Sequence, residues 1–365
     1  MTVFTWLIIL LLLAAFLLQG SQKGNRLFIL IAFLLLFAVM GFRDVNTGGS
    51  DASGSNGSYP VSFQRDGESD WSDLAGKGKN NFNIGFSYLT KSLYGITGGN
   101  YQSYVTILSA FMMFSYLHFI GKYSPSPIQS ILYFLGLLYY TFLFDAIKQG
   151  LAMSVLLFSF DAILERRPIK FFSLVVIASL LHFPALVFLP AYWLGRMRIG
   201  SYYLVLLAAL LFITYLFRNQ ILNLMLEAYG DEDVQVSMEG IRFLRTKSIV
   251  MIIIVIAAVL LRPPTLDDTV FNACLVFAGV AIVFQTFCGY NNIFERLADY
   301  YFHTSIVLLP LVFEKREMSV HALGKQDETT IKSIAPWLFC TFSVWRFLSL
   351  VNSSATFSSY QFLWQ

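Results

Sequence analysis

Long apolar runs separated by short polar links occupy most of the chain. They fall near residues 3–20, 26–42, 101–120, 128–144, 147–164, 170–183, 184–195, 200–217, 247–262, 270–288, 297–313 and 333–350. About 20 apolar residues in helical form cross about 30 Å of hydrocarbon, and a helix satisfies its own backbone N–H and C=O groups where no water is present. The pattern predicts an all-α polytopic membrane protein with about twelve membrane segments. Two segments are short: 170–183 and 184–195 each reach only about 18 Å at helical rise. Length alone allows one long helix or a helical hairpin there, with His182-Phe183-Pro184 at its tip and Pro184 breaking the helix.

Charge decides between the two. Lys and Arg collect in the short cytoplasmic links of membrane proteins, whereas long polar loops translocate regardless of charge. With 170–195 as a hairpin, Lys23, Arg26, Lys122, Arg166, Arg167, Lys170, Arg196, Arg198, Arg262, Lys315, Arg316, Lys325 and Lys332 lie inside, against Lys148, Arg296 and Arg346 outside. A single span at 170–195 would invert everything after it and erase the bias. The hairpin is therefore expected, with both termini outside.

Composition agrees, because 56% of the 365 residues are hydrophobic and only 13% are charged, about half the charged fraction of a soluble domain. A single transmembrane domain over 1–365 is expected, with extracytoplasmic loops at 43–100 and 218–247. The first is rich in Gly, Ser, Asn and Asp around GGSDASGSNGSY, yet Trp71 and NFNIGFSYL suggest that part of it docks. The second opens on the amphipathic stretch RNQILNLMLEAYG, which reads as an interfacial helix. Residues 3–18 lack a basic leader and a cleavage site and read as the first span. Cys274, Cys288 and Cys340 lie in or beside apolar runs without metal-ligand spacing, so packing roles and no metal or cofactor are expected. No internal repeat and no nucleotide-binding glycine motif is present, and nucleic acid is not an expected partner.

Ionisable residues at span ends are costly in a bilayer and are the candidates for chemistry. Lys148 lies in the short outer turn DAIKQGLA, between Asp145 and Gln149. Arg296 opens FERLADYYF, beside Glu295 and four residues before Tyr300. Either acid, Glu295 or Asp299, could neutralise it; alternatively its planar guanidinium fork suits phosphate oxygens. Arg43 leaves the second span at the same outer level, and Arg346 reads as an interfacial snorkeler. Asp51 is a carboxylate in the glycine-rich strip. His182 at the hairpin tip titrates near neutrality and suits proton transfer, although a lone histidine is more often structural. His303 and His118 read as packing residues. Two or three cations, a carboxylate and a base facing one side suggest transfer from a lipid diphosphate, the developing charge being met by preorganised donors.

These residues resemble the EpsG-type polysaccharide polymerases, relatives of the Wzy O-antigen and capsule polymerases. The likeness rests on span layout and on five short stretches in order: GFRDVNTGGSD with Arg43 and Asp51, NIGF with Asn83 in the family's acidic position, Lys148-Gln149-Gly150-Leu151-Ala152 for an Arg-Gln-x-x-Ala turn, LHFPAL with His182, and FERLADYYF with Arg296 and Tyr300. Lysine at 148 lacks the bidentate fork, and Asn83 lacks the carboxylate. The resemblance implies a GT-C-like fold in the bacterial inner membrane, with an extracytoplasmic site that joins oligosaccharide repeat units carried on undecaprenyl diphosphate. It implies diphosphate binding by Arg43, Lys148 and Arg296, a base in Asp51 or His182, and substrate contacts from Gln149, Tyr300 and Asn83. Implied partners are the lipid-linked donor and acceptor and other assembly proteins such as a flippase or a chain-length regulator. A flippase for the same lipids, a membrane acyltransferase and an assembly scaffold are the alternatives.

Overall fold

The computed structural model describes residues 2–18, 21–46, 58–77, 83–200, 202–221, 223, 246–261, 268–289, 292–313 and 325–364. Among these the chain is helical and forms no strand, and an isolated antiparallel bridge joins Arg43 to Phe362. The helices are α1 (Val3–Leu18), α2 (Gln22–Gly41), α3 (Ser58–Glu68), α4 (Trp71–Lys77), α5 (Ile84–Thr97), α6 (Tyr101–Tyr123), α7 (Pro127–Gly136), α8 (Tyr139–Asp145), α9 (Ile147–Leu164), α10 (Pro168–Leu181), α11 (Ala191–Leu194), α12 (Tyr203–Leu216), α13 (Thr246–Leu260), α14 (Thr269–Gln285), α15 (Asn292–Phe302), α16 (Ser305–Phe313), α17 (Lys325–Ser353) and α18 (Ala355–Ser358). A 3₁₀ turn at Phe183–Phe188 follows α10, as Pro184 dictates.

The expected all-α membrane class holds. α2 buries Phe28, Ala32 and Leu36 on one face and exposes Leu27, Leu30 and Leu34 on another, and α12 buries only Thr214 of its 14 residues. Apolar surface of that extent is at home against lipid tails. Length and apolarity qualify four described helices as spans: α2, α6, α9 and the Ser333–Ser353 portion of α17. The pair α7 and α8, bent by 53°, makes a fifth if counted as one broken span. Most of the remaining expected segments coincide with apolar helices of 10–17 residues.

The described chain divides into two compact units. The first comprises Met1–Ala162, Pro168–Leu186 and Ala335–Gln365. Its core is aromatic: Phe4 meets Phe144, Phe347, Phe357 and Tyr360 edge to face. The break between α7 and α8 is set by Leu138, held at φ 68°. A carbonyl released by such a break needs a donor where water is scarce. Arg346 of α17 supplies it, its Nη1 donating to the Gly136 oxygen at 2.6 Å. The helices come close enough for this because Gly136 has no side chain to collide with Ser343. Arg346 thus turns inward to a backbone carbonyl.

Much of the expected loop 43–100 is helical. Tyr59, Phe63 and Asp66 recur at i, i+4 and i+7 on the packed face of α3, a register that the polar composition conceals. Phe63 packs on Tyr94 of α5 and on Tyr101 and Tyr104 of α6, with centroids 4.7–5.4 Å apart. Trp71 of α4 stacks on Tyr88 at 5.8 Å, so this part of the stretch docks as its aromatics suggested.

The second unit comprises Ile163–Arg167 and Val187–Ile334. α14 is its centre: Asp268 caps its first turn through Val270 N and Phe271 N, and Phe277 and Phe284 pack on Tyr301 of α15. The Tyr301 hydroxyl donates to the Val187 oxygen at 2.7 Å. Most of the expected amphipathic stretch after Arg218 lies outside the described residues. The three cysteines are buried thiols.

Candidate functional site

In the first unit the site starts where α2 ends. The last carbonyl of α2, at Gly41, accepts from Gln102 Nε2 at 3.0 Å and Thr106 Oγ1 at 2.7 Å, both on α6. With the helix end fixed, the chain turns and the Arg43 side chain enters the protein, 1% exposed. Its Nη2 donates to the Phe144 oxygen at 2.8 Å, and its guanidinium lies 4.6 Å from the centroid of the Phe144 ring. Burial lowers its pKa to about 10, with the neighbouring Asp145 acting in the opposite sense, so the charge persists at neutral pH. A strap formed by the last residues of the chain holds the outside of this turn. Asp44 N donates to Gln361 O at 2.9 Å, Leu363 N to Phe42 O at 3.0 Å, and the Tyr360 hydroxyl to Val39 O at 2.7 Å.

The segment that accepts from Arg43 leads directly into α9. Lys148 stands in the first turn of α9, half-buried, where the helix dipole opposes a cation and favours an anion. Its backbone N–H donates to the Tyr59 hydroxyl at 3.2 Å. Its ammonium lies 5.8 Å from the Tyr59 centroid and 5.1 Å from that of Phe86, a cation–π pocket built by α3 and α5. Asp66 of α3 is close enough to act on it electrostatically and is itself buried and ion-paired to Arg65 Nε at 2.8 Å. Gln149 follows Lys148 and is buried.

Phe86 links Lys148 to the histidine tip. One turn before it, Asn83 Oδ1 accepts from Phe183 N at 2.8 Å, so the start of α5 clasps the residue after His182. The glycine between them is required: a Cβ at Gly85 would lie 2.6 Å from Leu180 Cβ and 2.9 Å from Leu180 O on α10. His182 is half-buried, with its N–H bonded to the Ala178 oxygen. Asn83 thus serves as an acceptor, a function that a carboxylate at this position shares. Asn83→Leu removes the acceptor and is expected to lower activity about ten-fold, the scale of one good hydrogen bond, whereas Asn83→Asp keeps it. The rates of the two variants check this.

In the second unit Arg296 is exposed on α15, and Tyr300, one turn on, is fully buried. The acids expected to compete for Arg296 are held by a lysine that the sequence reading had assigned no role. Lys247, in the first turn of α13, reaches Asp299 at 2.8 and 2.9 Å and Glu295 at 3.2 Å. Asp299 is 2% exposed. His303 Nδ1 lies 2.8 Å from the Asp299 backbone oxygen, which makes it a packed residue of its helix end.

Arg43 thus holds the segment that leads to Lys148 and Gln149, Lys148 lies against Phe86 of α5, and Asn83 of α5 holds the residue after His182, all within one unit, while Arg296 and Tyr300 belong to the other. Asp51 lies outside the described residues. Sequence reasoning missed Tyr59, Asp66, Phe86, Lys247 and the strap. A carboxylate in the i, i+4, i+7 register of two aromatics was the available signal for Asp66, and an isolated lysine at the head of an apolar run was the one for Lys247.

A family model described as the EpsG family matches residues 26–362. The chain belongs to that family, which associates it with glycosyltransferase-like polymerisation in polysaccharide biosynthesis at a membrane. No curated protein and no solved structure matches the chain.

Proposed function

We propose that this member of the EpsG family is a polysaccharide polymerase of the extracytoplasmic face of the bacterial inner membrane. It joins oligosaccharide repeat units carried on undecaprenyl diphosphate and crosses the membrane in about twelve segments. The observation that carries this reading is the linkage, part contact and part chain segment, from Arg43 to Phe144, along 144–148 to Lys148, on to Phe86 and, through Asn83, to Phe183 beside His182. It ties the segment that carries two cations and a helix N-terminus to the helix that clasps the residue after His182. The positive-inside bias of the short links supports placing these residues on the outer side.

In this mechanism an acceptor sugar hydroxyl attacks the anomeric carbon of the donor chain, the glycosidic bond forms, and the bond to the lipid diphosphate breaks. His182 draws off the hydroxyl proton, a role for which Asp51 is the second candidate. Lys148, half-buried on the first turn of α9, meets the departing diphosphate directly. Arg43, wholly buried behind it, contributes its field and holds the turn. Asn83 holds the backbone of Phe183, the residue after His182, and Arg296, in the second unit, carries a fork suited to phosphate oxygens in its own right. Gln149 and Tyr300, both buried, are the further residues assigned to substrate contact by the family resemblance.

The test is elongation of purified lipid-diphosphate-linked repeat units by the purified protein, with and without a chelator. Long chains are expected under both conditions. Lys148→Ala is expected to lower the rate about a hundred-fold, the scale of one lost electrostatic donor. Lys148→Arg, which supplies the family's guanidinium, is expected to retain activity. Movement of the lipid across vesicles without elongation would establish the flippase instead, and loss of elongation on chelation would establish a metal requirement.

A further inference from the structure

We propose that a cavity where α1 ends and α2 and α7 begin, closed on one side by α17, binds the headgroup of an anionic phospholipid whose tails run along the apolar surface beside it. The cavity lies within the first unit and has a volume of about 190 Å³, several times the share of one water in the liquid, about 30 Å³. Leu18 of α1, Asn25 of α2, Ser126 and Gln129 at the start of α7 and Trp337 of α17 line it. Its polar lining is not used up by the protein. Ser126 and Gln129 are half-buried, and Ser126 stands at the cap position of α7 without making a side-chain cap bond. The Ser126 hydroxyl and the amides of Asn25 and Gln129 have no hydrogen-bond partner among the described residues. Half-buried donors left in this way suit the oxygens of a ligand.

Charge and surroundings identify the ligand class. The link between α1 and α2 carries Lys23 and Arg26, both exposed, and the link between α6 and α7 carries Lys122; neither 19–26 nor 121–129 contains an acid. Lys122 is paired with Asp161 at 2.7 Å, so Lys23 and Arg26 supply the positive field. The first turns of α17 add Lys325, Lys332, Asp327 and Glu328, which cancel. An anion is therefore favoured. Leu17 and Leu338, each next to a lining residue, are 68% and 64% exposed, and Trp337 is itself half exposed, as an aromatic at a membrane interface is. A soluble anion makes no use of that apolar surface, whereas a phospholipid lays its tails on it and its phosphate in the cavity. The positive-inside bias of the short links supports placing the cavity at the cytoplasmic surface, where basic pockets between helices meet anionic lipid headgroups. The lipid then sits across the membrane from the proposed reaction and takes no part in it.

The experiment titrates delipidated protein in detergent with phosphatidylglycerol and with phosphatidylcholine and reads bound lipid by native mass spectrometry. Phosphatidylglycerol is expected to bind about ten-fold or more tightly than phosphatidylcholine, and excess inorganic phosphate is expected not to displace it. Lys23→Ala combined with Arg26→Ala is expected to weaken its binding about thirty-fold, the effect of two cations at a membrane surface. Gln129→Leu leaves volume and net charge in place and removes the amide, and is expected to weaken binding about ten-fold, the scale of one hydrogen bond to a charged group. Should Gln129→Leu fail to accumulate, Ser126→Ala carries the same expectation. Equal affinity for the two lipids overturns the proposal. Wild-type affinity in both Gln129→Leu and Ser126→Ala also overturns it, because surface charge alone then holds the lipid. Displacement by inorganic phosphate overturns it in favour of a soluble anion. Binding is read without elongation, so the outcome is independent of the polymerase reading.

Discussion

Arg43→Ala is expected to abolish long-chain glycan, leaving single repeat units on the lipid carrier and lowering elongation by at least about a hundred-fold. Arg43→Lys is expected to recover little of it. The guanidinium does two things that an ammonium cannot do together. It donates to the Phe144 oxygen at 2.8 Å and places its Cζ 4.6 Å from the centroid of the same residue's ring. Alanine leaves a buried carbonyl without this donor and a cavity the size of a large side chain, a combined cost of about 3–5 kcal/mol to the local structure. The immediate casualty is the segment Phe144–Lys148, which presents the lysine. Arg43→Met fills the volume without charge or fork and separates packing from donation. Elongation per mole of protein that elutes as a single species in detergent checks the prediction. Methionine activity near wild type would show that Arg43 acts through its bulk alone.

How much of this was legible in the sequence follows from which forces act locally. The apolar runs marked the apolar helices, because hydrocarbon demands continuous apolarity and leaves a signal that no tertiary contact has to complete. Helix lengths were less legible: breaks such as the one at Leu138 depend on a carbonyl acceptor finding Arg346 more than 200 positions away in sequence. For the same reason only four or five of the expected segments reach full span length as unbroken or once-bent described helices, and most of the others coincide with shorter apolar helices. The family motifs singled out Arg43, Lys148, Asn83 and His182, which the structure places in one unit, but not the contacts that they make. Arg43 read as a residue facing the substrate and is buried, because whether a span-end arginine faces out or in is decided by the partner waiting for it, here the end of α8. Asn83 read as a lost carboxylate, and its contact with Phe183 shows the acceptor role that survives the change. The stretch 58–97 read as a loop because its polar residues outnumber its apolar ones, yet Tyr59, Phe63, Phe86 and Leu93 suffice to dock the helices that carry them.

The chain's end was the least legible part, and it carries the last expectation. Residues 359–364 show no helical or strand periodicity, but they lie along the Arg43 turn through two backbone hydrogen bonds and the Tyr360 hydroxyl. Phe362 stacks on Trp364 at 4.7 Å, and Trp364 lies 6.2 Å from Phe42. Each hydrogen bond contributes about 1 kcal/mol and the aromatic contacts a similar amount each, enough together to decide whether the turn stays closed over the guanidinium. Deleting Tyr360–Gln365 is therefore expected to lower elongation about as far as Arg43→Ala does, without removing any residue of the proposed chemistry. Because strap and arginine act on the same turn, their losses should not add. The deletion combined with Arg43→Ala is expected to be no worse than either change alone, within about 0.5 kcal/mol when rates are converted to free energies. Tyr360→Phe, which keeps the ring and loses only the bond to Val39, should fall between the deletion and the wild type. Full activity after the deletion would leave the turn self-supporting, and additive losses would place the strap's effect somewhere other than Arg43.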